Sequence, residues 1–566
     1  MDSQRPFLYL TLLFLGFLLW TTWQQDHAPK PEITATQQTQ TQSATTSGVP
    51  ENTANAEIPT QSTQAVPAQS QQASASNSND GKNQLVRVRT DVLDMQISTQ
   101  GGDILIADLP SYPVSLEEPD NPVRILDLKT KNYVAQSGLQ HTAISGVDAK
   151  QLSEYAPNHL AAYSAEKTDY QLNDDSNEIV VPLVWQGANG VIVTKKYHFK
   201  RGSFLVEVEH EVQNNSDQMW NGTEYRQLKH GPDNTPGGLM MGVRAFVGGA
   251  YYHDDKYDTI AFTDMKEGIT DKTVGGWISM MEHYFISAWV PNQNEETQYG
   301  STEVMNYGVP AYILRARGPV RQIAAGATDS FKTGLWVGPK LQDDLAAIAT
   351  GLDLTVDYGI FAFISQPIFW VMQKIHGVVQ NWGWTIIFLT LLIKLIFFWP
   401  SAASYKSMAK MKAMAPRMKE IGERYSNDPQ GKQKAMMELY RKEKLNPLGG
   451  CLPILIQIPV FMGLYWVLLE SVELRQAPWL LWYKDLSIMD PYFILPLIMG
   501  GSMYLQQKLN PPQVDPMQQK IFQFLPVVFT FMFLWFPAGL VLYWVVNNLL
   551  SIAQQWYINK KIIGHA

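Results

Sequence analysis

Lys394 has the most unusual setting in this sequence. It stands in Thr390-Leu391-Leu392-Ile393-Lys394-Leu395-Ile396-Phe397-Phe398-Trp399-Pro400, an apolar run holding a single cation. On a helix Pro400 lies about 9 Å further along, so the lysine stem starts inside the apolar layer. A charge at the centre of a membrane helix costs roughly 2.5–3.5 kcal/mol on insertion scales, and such groups usually face a bundle interior or a wet cavity. A flexible stem that snorkels to the surface is the competing reading. Other polar residues are spaced to line the same cavity. Thr390 lies four residues earlier, on the same helix face, and Gln457 interrupts a later apolar run. Tyr543, Asn547 and Ser551 recur at four-residue spacing, with Asn548 and Gln555 nearby. Each alone could be glue between helices, but several apolar segments bringing polar groups to one cation read as a hydrated concave surface.

Other chemistry is thinly represented. The sequence has no Gly-rich phosphate loop, no His-Glu-x-x-His and no Cys-x-x-Cys. Cys451 is the single cysteine, which excludes a disulfide scaffold and a four-cysteine zinc site. No cofactor or metal site is expected. His210 stands between Glu209 and Glu211, but alternating acids on a strand read as a solvated face before they read as catalysis. The net charge of −8 argues against a nucleic-acid target. That charge is unevenly distributed: 26 Lys/Arg against 42 Asp/Glu through Ile393, then 18 against 10 from Lys394. Segregated charge in a chain with long apolar runs points to two sides of a membrane.

The elements that must position these residues follow from patterning. Arg5 and the apolar run Phe7–Trp20 predict an uncleaved signal anchor over 1–23, since no small-x-small cleavage site follows. Residues 24–83 lack aromatics and are rich in Gln, Thr, Ser, Ala and Pro, a composition that predicts a disordered periplasmic linker. Over 84–345 short alternating runs predict a large β-sandwich. Val206 to Val212 alternates strictly, and Asn189-Gly190 marks a hairpin. An amphipathic interfacial helix is expected within 346–380. Five core spans are expected at about 381–400, 449–469, 491–507, 520–536 and 540–556. Three of these have about 17 residues, roughly 26 Å of helix against a hydrocarbon core of ~30 Å, which would thin the bilayer locally.

Residues 401–448 carry 11 Lys/Arg against 5 Asp/Glu, and residues 470–490 carry 2 against 4. The positive-inside rule therefore places the first loop in the cytoplasm and the second outside. With the anchor there are six spans, both termini are cytoplasmic, and the sandwich is exported to the periplasm. The cytoplasmic loop, 401–446, reads as a helical hairpin turning at Ser426-Asn427-Asp428 and reopening with Pro429. Met408, Met411, Met414 and Met418 on one arm and Met436 and Met437 on the other suit variable apolar partners.

Several longer motifs carry a family resemblance: Met1-Asp2-Ser3-Gln4-Arg5, Asn446-Pro447-Leu448-Gly449-Gly450-Cys451-Leu452-Pro453, and Gln457-Ile458-Pro459-Val460-Phe461. Ser471-Val472-Glu473-Leu474-Arg475-Gln476-Ala477-Pro478, Asp515-Pro516-Met517-Gln518-Gln519-Lys520 and Trp535-Phe536-Pro537-Ala538-Gly539-Leu540 complete the set. The chain resembles the YidC/Oxa family of membrane protein insertases from its anchor to its last span. The resemblance implies a polytopic α-helical membrane protein with a five-helix insertase core and a large periplasmic β-sandwich. It implies a hydrophilic groove open to cytoplasm and lipid, whose positive residue corresponds to Lys394 and whose neighbouring threonine corresponds to Thr390. Many members carry arginine there; lysine keeps the charge but lacks the planar fork. The paired aromatics of the last span fall on Tyr543 and Trp544. The implied client-binding groove comprises Lys394, Thr390, Gln457, Tyr543, Trp544, Asn547 and Ser551, and Ile458, Phe461 and Met532 would form an apolar slide.

Implied partners are nascent membrane proteins, membrane lipids, the Sec translocon with its accessory proteins, and the ribosome and signal recognition particle pathway. Lys560-Lys561 are too few for the long basic ribosome-binding tail of some relatives. No enzymatic activity is expected. A secondary transporter with a midplane polar site is the alternative, although no Asp or Glu falls within the five core spans and no internal repeat is evident. A membrane-anchored sugar-active enzyme would leave those spans unexplained.

Overall fold

The computed structural model describes residues 84–142, 149–187, 189–233, 246–306, 308–425, 428–443, 452–509, 516–558 and 560. The expected anchor over 1–23, the linker over 24–83, Cys451 and the turn residues Ser426 and Asn427 lie outside the described residues.

Between Leu85 and Pro339 the described strands form two sheets, one eleven-stranded and one nine-stranded. The pairings are antiparallel except where Leu85–Arg89 meets Asp169–Gln171. Period-two alternation explains the layers. In Leu205–Asn214 the side chains of Val206, Val208, His210 and Val212 turn inward while Glu207, Glu209 and Glu211 turn out. This strand lies between Val191–Lys200 and Thr328–Pro339 in the nine-stranded sheet. In the other sheet Trp220–His230 lies between Val134–His141 and Val309–Arg317. The Asn189-Gly190 hairpin joins Glu178–Gln186 to Val191–Lys200, with Gly190 at φ +89°, where a side chain would be strained. Trp220, Trp277, Trp289, Tyr197 and Phe199 fill the core between the sheets.

The stretch expected to hold one interfacial helix is interrupted. A short helix, Gln342–Ile348, and two 3₁₀ turns precede α1, Ala362–Val379. Gly351 at φ +73° and Gly359 at φ +55° leave the right-handed helical region and break the run.

The helical core follows. The helix α2 spans Trp382–Ile396, α3 Phe398–Ala413, α4 Ala415–Arg424 and α5 Pro429–Lys442. Beyond them α6 spans Leu452–Glu470, α7 Ile494–Leu509, α8 Pro516–Phe533 and α9 Ala538–Ile558. The side chain of Asn381 caps α2 by accepting from the Trp384 amide at 3.1 Å, and its own amide donates to the Pro478 carbonyl at 3.2 Å. Gly383 lets Trp479 lie against α2; a Cβ there would sit 2.1 Å from the indole.

Proline interrupts two of the expected helices. The first core span was expected over 381–400, but α2 ends at Ile396 and turns by 68° into α3. Pro400 lacks an N–H, and its ring opposes the carbonyl four residues back, that of Ile396. The first hairpin arm was expected as one helix but breaks at Met414, because Pro416 acts on Lys412 in the same way. The second arm begins as expected, with Pro429 in the first turn and the Asp428 carboxylate accepting from the Gly431 amide at 3.0 Å.

No single described helix is long and apolar enough to cross a membrane; the bent pair Trp382–Ile396 and Phe398–Met411 meets that measure together. At fifteen residues, α2 is about 22 Å long.

The end of α6 and the loop after it meet the sandwich. Arg475 donates to the carbonyls of Pro113 at 2.7 Å and Val114 at 3.1 Å, and His283 donates to the Leu469 carbonyl at 2.8 Å. Val472 joins the apolar core of the sandwich itself.

Candidate functional site

The polar residues of the core meet on α9, whose buried side carries Tyr543, Asn547 and Ser551 at the spacing of one helix face. The Lys394 ammonium donates to Ser551 Oγ at 2.7 Å, and Ser551 Oγ donates to the Asn547 carbonyl at 2.7 Å. Eight residues toward the start of α9, Tyr543 receives a hydrogen bond from the Gln457 amide of α6. The last helix therefore ties α2 at one level and α6 at another, about 12 Å apart along its axis. Lys394 and Gln457 are half-buried, whereas Tyr543, Asn547 and Ser551 are buried. Among the described residues no carboxylate lies within 4.0 Å of the Lys394 ammonium. Its charge is met by a neutral hydroxyl.

Not every expected residue joins this arrangement. Thr390 is buried, and its hydroxyl closes on its own helix by donating to the Ile386 carbonyl at 2.6 Å. Trp544 packs edge-on to Phe461 at 4.8 Å and lies 5.4 Å from Phe533, with its indole N–H unpartnered. Phe461 thus belongs to an aromatic cluster and not to an open surface. Met532 is half-buried against the same core, while Ile458 is half exposed. Of the hairpin methionines, Met408 is buried with Tyr405 and Ile558, and Met418 is buried beside Tyr440. Met411 and Met436 are half-buried, and Met437 is the most exposed of these. The stripe therefore spends much of its apolar surface inside the hairpin, because its two arms and the end of α9 are near enough to pack on it.

Sequence reasoning missed Ser502, which accepts from Asn548 at 3.0 Å. The signal for Ser502 was weak, because a lone serine in an apolar helix reads equally well as packing.

The sandwich places its own acids and histidines differently from an active site. Glu209 and Glu211 face outward toward Lys196, as the solvated-face reading has it. His210 points inward, and its Nδ1 lies 3.0 Å from Glu224, which also receives Arg226 at 2.5 Å. Burial alone would raise the Glu224 pKa, but Arg226 and His210 together hold it down at about 2. The His210 pKa is lowered, chiefly by its burial. The cluster is sealed between the sheets, where it joins them.

Comparison with known proteins places this architecture. The family profile described as 60Kd inner membrane protein matches residues 374–565, and that described as YidC periplasmic domain matches residues 85–371. A protein of Thioalkalivibrio sulfidiphilus named "Membrane protein insertase YidC" is 50% identical over 566 residues, covering 99% of both chains. The chain belongs to the YidC family of membrane protein insertases. A member of that family from Methylococcus capsulatus is 46% identical over 564 residues, again covering 99% of both chains. A crystal structure of an active YidC insertase aligns with 84% of this chain and 95% of its own, at 16% identity and a TM-score of 0.37. As a YidC-family insertase the protein resides in the inner membrane with a periplasmic domain and acts on nascent membrane proteins; it is not an enzyme. The transporter alternative finds no support among these relatives.

Proposed function

We propose that insertion proceeds through a hydrated groove centred on Lys394 and bounded by Thr390, Gln457, Tyr543, Trp544, Asn547 and Ser551. The observation that carries this reading is the Lys394 ammonium, half-buried in an apolar helix, bonded to Ser551 and without a carboxylate partner among the described residues. An uncompensated cation in a low-dielectric setting attracts an anionic group far more strongly than one in water. It offers acidic residues of a client tail a station part-way across. Short helices thin the layer that the tail must cross. No nucleotide is required: the client's apolar helix leaves along the face marked by Ile458, with Phe461 and Met532 behind it, and its burial in lipid supplies the driving force at about 25 cal/mol per Å².

In this reading the chain has six spans, with the anchor at 1–23 and five in the core, and both termini are cytoplasmic. The linker over 24–83 tethers the periplasmic sandwich of 84–345, and α1 lies in the interface. The hairpin at 401–446 presents apolar surface to clients, chiefly through Met411, Met436 and Met437. The Sec translocon, the ribosome and the signal recognition particle pathway are the partners that would deliver longer clients. The test is reconstitution of the purified full-length protein, alone, in liposomes with a small single-span client, scored by protease protection. Protection at the level of empty liposomes contradicts the proposal.

A further inference from the structure

Lys394 has several polar neighbours by sequence, but among the described residues the structure gives it one hydrogen-bond partner. Thr390 has committed its hydroxyl to the Ile386 carbonyl, and the Gln457 amide is committed to Tyr543. Ser551 is placed otherwise. Its own proton goes to the Asn547 carbonyl, so the lone pairs of Oγ are fixed toward the ammonium 2.7 Å away. Ser551 is buried on α9. On the neighbouring turn Gln554 donates to the Phe398 carbonyl at 3.2 Å, which fixes the start of α3 against α9. The flexible lysine stem could otherwise carry its charge toward the cytoplasmic headgroups.

We propose that Ser551 is a positioning residue, which holds the Lys394 ammonium at groove depth until an anionic group of a client displaces it. This deepens the groove reading and rests on it. A neutral hydroxyl satisfies the cation without cancelling its charge, so a carboxylate outcompetes it and a neutral client segment does not. Ser551 thereby sets the preference for acidic translocated segments.

The test compares Ser551→Thr with Ser551→Val in the full-length protein in liposomes. The two replacements have the same shape and differ in the hydroxyl. The clients are one single-span protein with either two acidic or two neutral residues in its translocated tail. Ser551→Thr is expected to keep the acidic-over-neutral preference. Ser551→Val is expected to lower it by about tenfold, the loss that fits one hydrogen bond to a charged group. In a Lys394→Met background the Val replacement should remove nothing further. An unchanged preference in Ser551→Val overturns the proposal, and so does an equal loss in the Lys394→Met background, which marks a packing role. If Lys394→Met alone inserts acidic tails at the normal rate, the groove reading itself fails; an impaired Lys394→Met with a normal Ser551→Val sinks only the role of Ser551.

Discussion

Acid should loosen the periplasmic sandwich through His230. This residue ends the strand Trp220–His230 with its ring 4.7 Å from Phe262 and 4.5 Å from Tyr133. The ring is 5% exposed, and its Nδ1–H donates to the Gly231 carbonyl at 2.6 Å. Burial, reinforced by Lys131, holds its pKa down to about 4 against an ordinary 6.5. Between those values the unfolded chain takes up a proton that the folded domain refuses. The stability contributed by neutral His230 is therefore intact above pH 6.5 and falls by about 1.4 kcal/mol per unit as pH drops toward 4. At pH 5 the loss is about 2 kcal/mol, or roughly thirtyfold in protection against opening. His210, also lowered, adds its own loss, so the readout is the difference between wild type and His230→Phe, which keeps the aromatic stack but cannot titrate. Hydrogen exchange of the full-length protein in detergent, corrected for intrinsic rates and followed over 220–230 and 309–317, measures it at pH 7.5 and 5. Identical pH dependence in the two proteins would refute the argument.

Other expectations follow from contacts in the core. Gly383→Ala drives a methyl into the Trp479 ring, so overpacking should cost about 1–3 kcal/mol, seen as a lower melting temperature in detergent. Tyr543→Phe and Gln457→Leu should show a favourable coupling of about 1 kcal/mol in a double-mutant cycle, the usual scale for hydrogen bonds between membrane helices; additive losses would show that the pair in the structure contributes no coupling. Arg475→Ala removes the donor to Pro113 and Val114, and hydrogen exchange should rise at the tip of the hairpin joining Ile104–Ser115 to Glu118–Asp127.

Much of this was legible because the period of hydrophobicity reports directly on burial. The alternation through Val206–Val212 and the solvated face of its glutamates are kept in the strand, which also turns His210 inward. The four-residue spacing of Tyr543, Asn547 and Ser551 gave one face of one helix. Prolines 400 and 416 were visible too, yet the bend after Ile396 and the break at Met414 depend on which carbonyl each ring opposes, and hydropathy averages over that. What was not legible depended on partners distant in the chain. Glu224 is 14 residues from His210 and on the facing sheet, and Asn548 reaches Ser502 across 46 positions. Thr390 shows the converse: it stands four residues before Lys394, but spacing does not say whether a hydroxyl faces a neighbour or its own backbone.

The central claim is that Lys394, bonded to a neutral hydroxyl and without a carboxylate partner among the described residues, receives anionic client segments. It is tested most directly by inserting a single-span client with an acidic, neutral or basic translocated tail into liposomes holding the wild-type or Lys394→Ala protein. The account predicts that Lys394→Ala loses protease protection of the acidic tail preferentially, so that the order acidic over neutral over basic collapses. Full retention of that order in Lys394→Ala would contradict it.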